Sequence, residues 1–209
     1  MSFITFEGID GSGKTTQIDL LKKLFSNRKD VIFTANPGET QLGKELRKIL
    51  LHRVDLKLSE INEMFLFFTG IQDNYEKVIL PAVSQNVNVF CDRYYDSTIA
   101  YQGFGRRLDI NKILKLVEVT ALPEPNLTIL FRIDFNVFQE RAEMKGTKDK
   151  MESSKNEFYK SVISGYDELA KIYKNRYVVL DGTRPIELSH NHVKEVIKEK
   201  LNIAKEACL

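Results

Sequence analysis

The sequence is poor in cysteine, carries little net charge and lacks long apolar runs. Only two cysteines occur among 209 residues, Cys91 in an apolar run and Cys208 near the C-terminus, which argues against a disulfide framework and fits a reducing compartment. Basic and acidic side chains nearly balance, 31 against 29, so we expect no nucleic-acid partner, because such proteins usually carry a basic excess. No apolar run approaches the roughly 20 residues of a membrane span, and no signal peptide is visible. We therefore expect a cytoplasmic protein with no membrane partner.

Short apolar runs alternate with segments of helical period. The runs are rich in β-branched and aromatic residues, as is typical of buried parallel strands, and they cover residues 3–6, 31–34, 87–91, 127–133 and 177–180. Helices are predicted over 16–25, 42–51, 61–83, 110–120, 135–143, 156–173 and 186 to about 204. This alternation predicts an α/β fold with a doubly wound, parallel, five-stranded sheet flanked by helices. No linker or repeat interrupts it, so we expect one domain over residues 1–209.

A glycine-rich segment follows the first predicted strand. Gly8 to Thr15, GIDGSGKT, fits the pattern G-x-x-x-x-G-K-[ST], in which backbone N–H groups and a helix N-terminus surround phosphate oxygens. Lys14 can reach the β- and γ-phosphates, and the Thr15 hydroxyl can bind Mg²⁺. A chance match in a strand–turn–helix connection is the alternative, but the strand before it and the amphipathic helix after it favour a phosphate site. The predicted phosphate-binding residues are Gly8, Ile9, Asp10, Gly11, Ser12, Gly13, Lys14, Thr15 and Thr16.

A phosphate loop alone leaves several classes of nucleotide-binding protein open. A GTPase would be expected to show an Asn-Lys-x-Asp set, which this sequence lacks. A motor ATPase usually belongs to a larger machine. The length and a second polar segment after another strand therefore favour a nucleotide kinase.

That second segment begins with Asp92-Arg93-Tyr94, at the end of the third predicted strand. In an open parallel sheet, ligands bind outside the carboxyl ends of the strands, where this segment would lie. Asp92 could orient Mg²⁺ or its water shell, and the planar guanidinium of Arg93 could bind phosphoryl oxygens. By itself the triplet is a weak motif, and a buried ion pair at a strand end is the alternative interpretation.

Together these motifs resemble the thymidylate kinase family of P-loop nucleoside monophosphate kinases. The resembling blocks are FEGIDGSGKTTQ (6–17), NPGET (36–40), the segment around Phe67, CDRYYDSTIAYQGFGR (91–106), KDKMES (148–153), GYDELA (165–170) and LDG (180–182). The resemblance implies a P-loop NTPase-like fold, phosphorylation of dTMP to dTDP by ATP with Mg²⁺, and a homodimer. Gly11 stands where some members carry an arginine, so the chain looks like the bacterial type.

The resemblance also implies roles for individual residues. It places Lys14, Arg93, Asp10 and Lys150 in catalysis, and Thr15 and Asp92 beside the metal. The implied dTMP-binding residues are Asp10, Pro37, Phe67, Ile71, Arg93, Ser97, Thr98, Tyr101 and Gln102. Phe67 would stack on thymine, although ordinary helix core is its alternative, and Tyr101 would crowd the sugar 2′ position.

A short lid is expected over residues 144 to 155, a charged segment with no apolar face that could also be a plain exposed loop. Its cations would be Arg141, Lys145, Lys148 and Lys150, although Arg141 lies near its edge.

Several positions depart from the family pattern. Asn36 and Glu39 stand where a carboxylate and a glycine are usual, Ile71 replaces an arginine that reads the thymine carbonyl, and Lys150 replaces a lid arginine. Ser161 and Ile163 stand where two arginines are common. If neighbours such as Gln72 or Arg106 compensate, dTMP stays preferred, which is the interpretation we favour. The alternatives are a related deoxynucleoside monophosphate kinase with broader acceptor choice, dUMP first, or a nucleotide-binding protein that has lost catalysis.

Overall fold

The structure is a computed structural model that describes residues 1–53, 55–144 and 153–201. Its strands are β1 (Phe3–Glu7), β2 (Val31–Ala35), β3 (Asn88–Asp92), β4 (Leu127–Arg132) and β5 (Tyr177–Asp181). Its helices are α1 (Lys14–Leu24), α2 (Gln41–His52), α3 (Glu60–Asn74), α4 (Leu80–Ser84), α5 (Tyr95–Thr98), α6 (Ile110–Val119), α7 (Phe135–Met144), α8 (Ser153–Ile172) and α9 (Ile186–Leu201). Two π-helical segments, Tyr75–Ile79 and Ile99–Gly105, join α3 to α4 and extend α5.

The strands form one parallel sheet in the order β2-β3-β1-β4-β5. This confirms the predicted doubly wound, five-stranded parallel sheet. The chain leaves β1 for β2 and β3 on one side, then crosses β1 to reach β4 and β5 on the other. The carboxyl ends of β1 and β3 are therefore neighbours, with Phe6 paired with Asp92 in register. A crevice at such a switch in strand order is the usual ligand site of this architecture.

Alternate strand residues face two separate cores. Phe3, Val89 and Leu130 pack with α3, α6 and α8 on one face, whereas their neighbours Ile4 and Phe90 pack with α1 and α9 on the other. Because both faces are covered, the central strands are apolar almost throughout, and every residue of β1 is buried. Its last residue, Glu7, is therefore a carboxylate in an apolar setting.

The helices begin and end close to the predicted boundaries, and one helical segment was not predicted. Thr40 and Ser59 cap α2 and α3 by accepting hydrogen bonds from backbone N–H groups. The predicted helix over 61–83 is a continuous helical segment with a π-helical turn ahead of Pro81, a residue that cannot donate a backbone hydrogen bond. The sequence did not predict the helical segment formed by α5 and the π-helix Ile99–Gly105, which directly follows the Asp92-Arg93-Tyr94 triplet.

Within the described ranges of the chain, none of the helices has the length and apolar character needed to cross a membrane.

Candidate functional site

The loop between β1 and α1 lines a surface cavity. Gly8, Gly11 and Gly13 have φ angles of 134°, 76° and 100°, a region that residues with a Cβ rarely adopt. A Cβ on Gly8 would lie 2.4 Å from the carbonyl oxygen of Phe131, so no larger residue fits there. Of the nine predicted phosphate-binding residues, the seven from Asp10 to Thr16 line this cavity. Gly8 and Ile9 are buried instead.

Lys14 is a buried cation at the start of α1. Its side chain is only 5% exposed, and its ammonium donates to the Ile9 carbonyl over 3.4 Å. Burial lowers the pKa of Lys14 to about 8, assisted by the nearby charge of Arg93 and opposed by Asp92 and Asp10. A poorly solvated ammonium gains strongly from an anion placed beside it, which suits a phosphate ligand.

Arg141, on α7, joins the phosphate loop to the loop after β5. Its guanidinium donates to the carbonyl oxygens of Gly11 at 2.7 Å and Gly182 at 2.9 Å. Arg141 therefore precedes the predicted lid, and its guanidinium contacts the wall of the cavity. The other predicted lid cations, Lys145, Lys148 and Lys150, lie outside the described residues.

Arg93 extends from the end of β3 toward the phosphate loop. Its backbone takes the left-handed conformation, with φ 66°, and its N–H donates to Phe6 of β1. The guanidinium donates to Asp10 at 2.8 Å, Ser97 at 3.1 Å and Tyr101 at 3.4 Å. The left-handed conformation is uncommon for residues other than glycine, and it indicates that the surroundings hold the backbone in place. This turn aims the guanidinium at Asp10 in the phosphate loop.

Glu7, the last residue of β1, stabilises the turn that carries Arg93. Its carboxylate accepts hydrogen bonds from the Tyr94 N–H at 2.7 Å, the Ser97 hydroxyl at 2.6 Å and the Tyr166 hydroxyl at 2.9 Å. Both hydroxyls also accept from Arg93. Burial, together with the negative charge of Asp96, raises the pKa of Glu7 to about 7. The sequence motifs did not predict roles for Glu7 and Tyr166; the signal for Glu7 was a carboxylate ending an otherwise apolar strand.

A second pocket lies beside the phosphate-loop cavity. All nine residues predicted to bind the acceptor line it: Asp10, Pro37, Phe67, Ile71, Arg93, Ser97, Thr98, Tyr101 and Gln102. Asn36, Arg47, Leu51 and Tyr94 complete the lining. Arg47 and Leu51 belong to α2, whose contribution the sequence analysis did not anticipate. Asp10 lines both cavities, so the two meet at this carboxylate.

Asn36 holds the loop that carries Arg93. Its amide nitrogen donates to the Arg93 carbonyl at 3.0 Å, and its amide oxygen accepts from Asn74 at 3.0 Å. Thr34 donates to Asn74 in turn. An ionised carboxylate in place of Asn36 could not donate to a carbonyl. The Asn36 amide therefore has a structural role that the family resemblance did not imply.

At two positions where the family commonly has an arginine, this chain has a buried apolar residue. Ile71 is 2% exposed and joins the core while lining the second pocket. Ile163 is also a core residue, at 8% exposure. Gln72, considered as a substitute for the missing arginine, instead donates to Glu76 and lines a different surface groove.

The described residues fit a magnesium ion bound together with a nucleotide. They contain no cluster of three or more His, Cys, Asp and Glu side chains that would hold a metal ion alone. Mg²⁺ usually keeps several waters and binds one or two protein groups plus substrate phosphates. Asp92 has one buried carboxylate oxygen without a hydrogen-bond partner in the described part of the chain, and Thr15 lines the phosphate-loop cavity. Asp92 and Thr15 are therefore suitable oxygen donors beside bound phosphates.

Comparison with known proteins gives a consistent family. The family model described as thymidylate kinase matches residues 6–193. The chain is 39% identical to a thymidylate kinase of Kosmotoga olearia, covering 98% of this chain and 97% of that protein. It is 38% identical to a thymidylate kinase of Janthinobacterium, covering 93% and 95%. A crystal structure of thymidylate kinase from Ehrlichia chaffeensis superposes with a TM-score of 0.77 at 32% identity, covering 94% of this chain and 98% of the other. The chain therefore belongs to the thymidylate kinase family.

Proposed function

We propose that the phosphate-loop cavity binds ATP, that the second pocket binds dTMP, and that the protein transfers the γ-phosphoryl group between them. The observation that carries this assignment is that Asp10 lines both cavities and pairs with Arg93 at 2.8 Å. A nucleotide bound in each cavity would bring its phosphates to this point. In-line phosphoryl transfer requires this kind of end-to-end placement of donor and acceptor.

The chemistry requires charge neutralisation more than proton transfer. The acceptor is a phosphate monoester that is largely ionised near neutral pH, so it needs no strong general base. Two polyanions must approach each other. Lys14 lines one cavity and Arg93 the other, so both cations are available to neutralise the phosphates. Such preorganised charges stabilise the negative charge that develops in the transition state. Arg93 would exchange its contact with Asp10 for the acceptor phosphate.

Magnesium, when bound, would neutralise phosphate charge, with Thr15 and Asp92 as its protein-side donors. Lys145, Lys148 and Lys150 stay predicted lid cations, and their contribution to catalysis is part of this proposal. A cytoplasmic location and the absence of a nucleic-acid partner also stay predictions.

The second pocket suits a deoxynucleoside. Phe67 lines it as a half-buried ring on α3, available to stack on a base. The Tyr101 hydroxyl accepts a hydrogen bond from Arg93 at 3.4 Å, and the Arg93 guanidinium lies 5.2 Å from the centre of the Tyr101 ring. Tyr101 is thereby fixed between the phosphate-binding arginine and the rest of the pocket. The family resemblance implies that a ring at this position crowds a ribose 2′-hydroxyl, which supports selection of the deoxy sugar.

Replacing Arg93 by lysine tests the proposed acceptor site. Lysine keeps the charge but loses the planar fork that reaches Asp10, Ser97 and Tyr101. We expect kcat/KM for dTMP in Arg93→Lys to fall by about a hundredfold or more, as when a preorganised donor is lost from a transition state. Steady-state kinetics at saturating ATP measure this. Arg53→Lys is the matched control, because Arg53 is an exposed residue paired with Asp55. Equal activity in the two variants would contradict the assignment.

A second candidate is the same reaction with a broader choice of acceptor. It is favoured by Ile71, which places an apolar side chain on the pocket wall where the family usually has an arginine. Loss of one base-specific hydrogen bond costs on the order of 1–3 kcal/mol of discrimination. Kinetics with dTMP, dUMP, dCMP and dGMP separate the two. A dTMP preference above about a hundredfold, about 2.7 kcal/mol, would exclude the broad choice.

We also propose that the protein is a homodimer. Leu42 of α2, Phe65 of α3 and Leu116 of α6 contribute apolar side chains to one surface groove. The rest of its lining is Phe68, Thr69, Gln72, Asp73, Glu76 and Thr120. Leu42 and Phe65 are 41% and 48% exposed. A second copy of the chain would cover this apolar face, which suits the helix-packed dimer that the family resemblance implies.

A further inference from the structure

Glu63 on α3 fixes the orientation of a side-chain amide in the proposed base-binding pocket. Its Oε1 accepts a hydrogen bond from Nε2 of Gln102 at 3.0 Å. A carboxylate can only accept, so the end of the Gln102 amide that faces Glu63 must be the NH₂ group. Gln102 is 3% exposed and lines the pocket. A buried amide with one end held in this way does not flip freely between its two orientations.

Glu63 is itself held in place by Arg106. Its other oxygen, Oε2, accepts from the Arg106 guanidinium at 3.2 Å, and that guanidinium lies 4.9 Å from the ring centre of Phe158 on α8. The carboxylate therefore has a cation on one side and the Gln102 amide on the other. Both oxygens of the Glu63 carboxylate are thereby engaged as hydrogen-bond acceptors.

We propose that Glu63 is a positioning residue that, by orienting Gln102, makes the pocket select bases with a donor at N3. With Nε2 engaged by Glu63, Gln102 presents its Oε1 acceptor to the base. Thymine and uracil carry an N3–H donor that such an oxygen can accept, whereas cytosine carries a lone pair at N3. Thr98, whose hydroxyl can donate or accept, imposes no such preference. Ile71 offers no polar group, so the orientation of Gln102 carries the discrimination. This inference depends on the proposed function, because it takes the second pocket as the dTMP site.

The isosteric change Glu63→Gln tests the inference. A glutamine at position 63 can donate or accept, so it preserves a hydrogen bond to Gln102 but no longer dictates which end of that amide faces the base. The measurement is the dissociation constant of dTMP, dUMP and dCMP by titration calorimetry, for the wild-type protein and the variant. Glu60→Gln is the matched control, since Glu60 is an exposed residue of the same helix.

We expect the ratio of dCMP to dTMP dissociation constants to fall about tenfold in Glu63→Gln, as when one buried hydrogen bond loses its required geometry. The ratio of dUMP to dTMP should stay within about twofold, because both bases carry N3–H. Glu60→Gln should change neither ratio. In a Gln102→Ala background, Glu63→Gln should have no further effect on the dCMP ratio, because the group it orients is gone.

Two results would overturn the inference. One is an unchanged dCMP to dTMP ratio in Glu63→Gln; the other is an equal weakening of all three nucleotides, which would show a structural role only. A wild-type protein that does not bind dTMP would instead overturn the assignment of the pocket, and the inference with it. The wild-type titration thus separates the two kinds of failure.

Discussion

Glu7 lies fully buried at the end of β1, where three hydrogen bonds converge on its carboxylate from Tyr94, Ser97 and Tyr166. Two of these donors also bind Arg93, so the carboxylate positions the arginine through their hydroxyl groups. Arg93 touches Asp10 in the phosphate loop, which completes a hydrogen-bonded connection from the sheet to that loop. One side chain in an apolar strand thus organises the proposed acceptor side of the site.

The buried carboxylate of Glu7 predicts a pH-dependent stability. Its pKa rises from 4.5 to about 7 in the folded protein, mainly through burial. Since the folded state binds its proton more tightly, the contribution of Glu7 is complete below pH 4.5 and is lost as pH rises toward 7. We expect the free energy of unfolding of the wild type, relative to Glu7→Gln, to fall by about 3 kcal/mol between pH 4.5 and pH 8.

Urea unfolding of both proteins at several pH values measures this difference, and titrating groups distant from Glu7 cancel in the comparison. A constant gap between wild type and Glu7→Gln across the range would contradict a raised pKa for Glu7. The sign is informative too, because a gap that grew with pH would mean that the folded protein favours the ionised carboxylate.

At the residue scale, the sequence could predict side chains whose motif fixes their role. The phosphate loop and Arg93 were found because their spacing after strands dictates where they lie. Glu63 and Asn74 were not found, since each acts through a partner distant in sequence, Gln102 and Asn36 respectively. No periodicity or local spacing encodes such a pair. The lid cations Lys145, Lys148 and Lys150 stay predictions, because they lie outside the described residues.

At the scale of elements, the pattern of apolar residues was sufficient to predict the strands but not every helix. No strand boundary differs from its prediction by more than one residue, because buried parallel strands are continuous apolar runs. No helix was predicted over 95–105, since the polar residues of this segment obscured its helical period. It includes a π-helical stretch, and such stretches are frequent at functional sites. Helix formation here places Thr98, Tyr101 and Gln102 on the pocket wall.

The apolar face of α3 predicts the oligomeric state. Phe65 is 48% exposed on this face, and a second copy covering it would bury a large apolar ring at the centre of the interface. We expect light scattering to give twice the mass of the chain for the wild type and the mass of one chain for Phe65→Glu. Ile172→Glu is the matched control, because Ile172 is 66% exposed on α8 and does not line the groove. A monomeric wild type, or a Phe65→Glu dimer, would contradict the proposal.

At the scale of the whole molecule, the strand order creates the site. Alternating strands and helices predicted a parallel sheet, but the order β2-β3-β1-β4-β5 cannot be obtained from period alone. That order places β3 beside β1, so that Glu7 and Asp10 meet Arg93 although more than 80 residues separate them along the chain. The two cavities meet at Asp10 for the same reason.

The central claim is that these two cavities form one thymidylate kinase site. Its most direct test is a coupled assay of ADP release from ATP and Mg²⁺, with and without dTMP, repeated with dUMP, dCMP and dGMP. We predict ADP release that depends on dTMP and exceeds the acceptor-free background, with the highest kcat/KM for dTMP. ADP release that no deoxynucleoside monophosphate increases would contradict the account and would favour a nucleotide-binding protein that has lost catalysis.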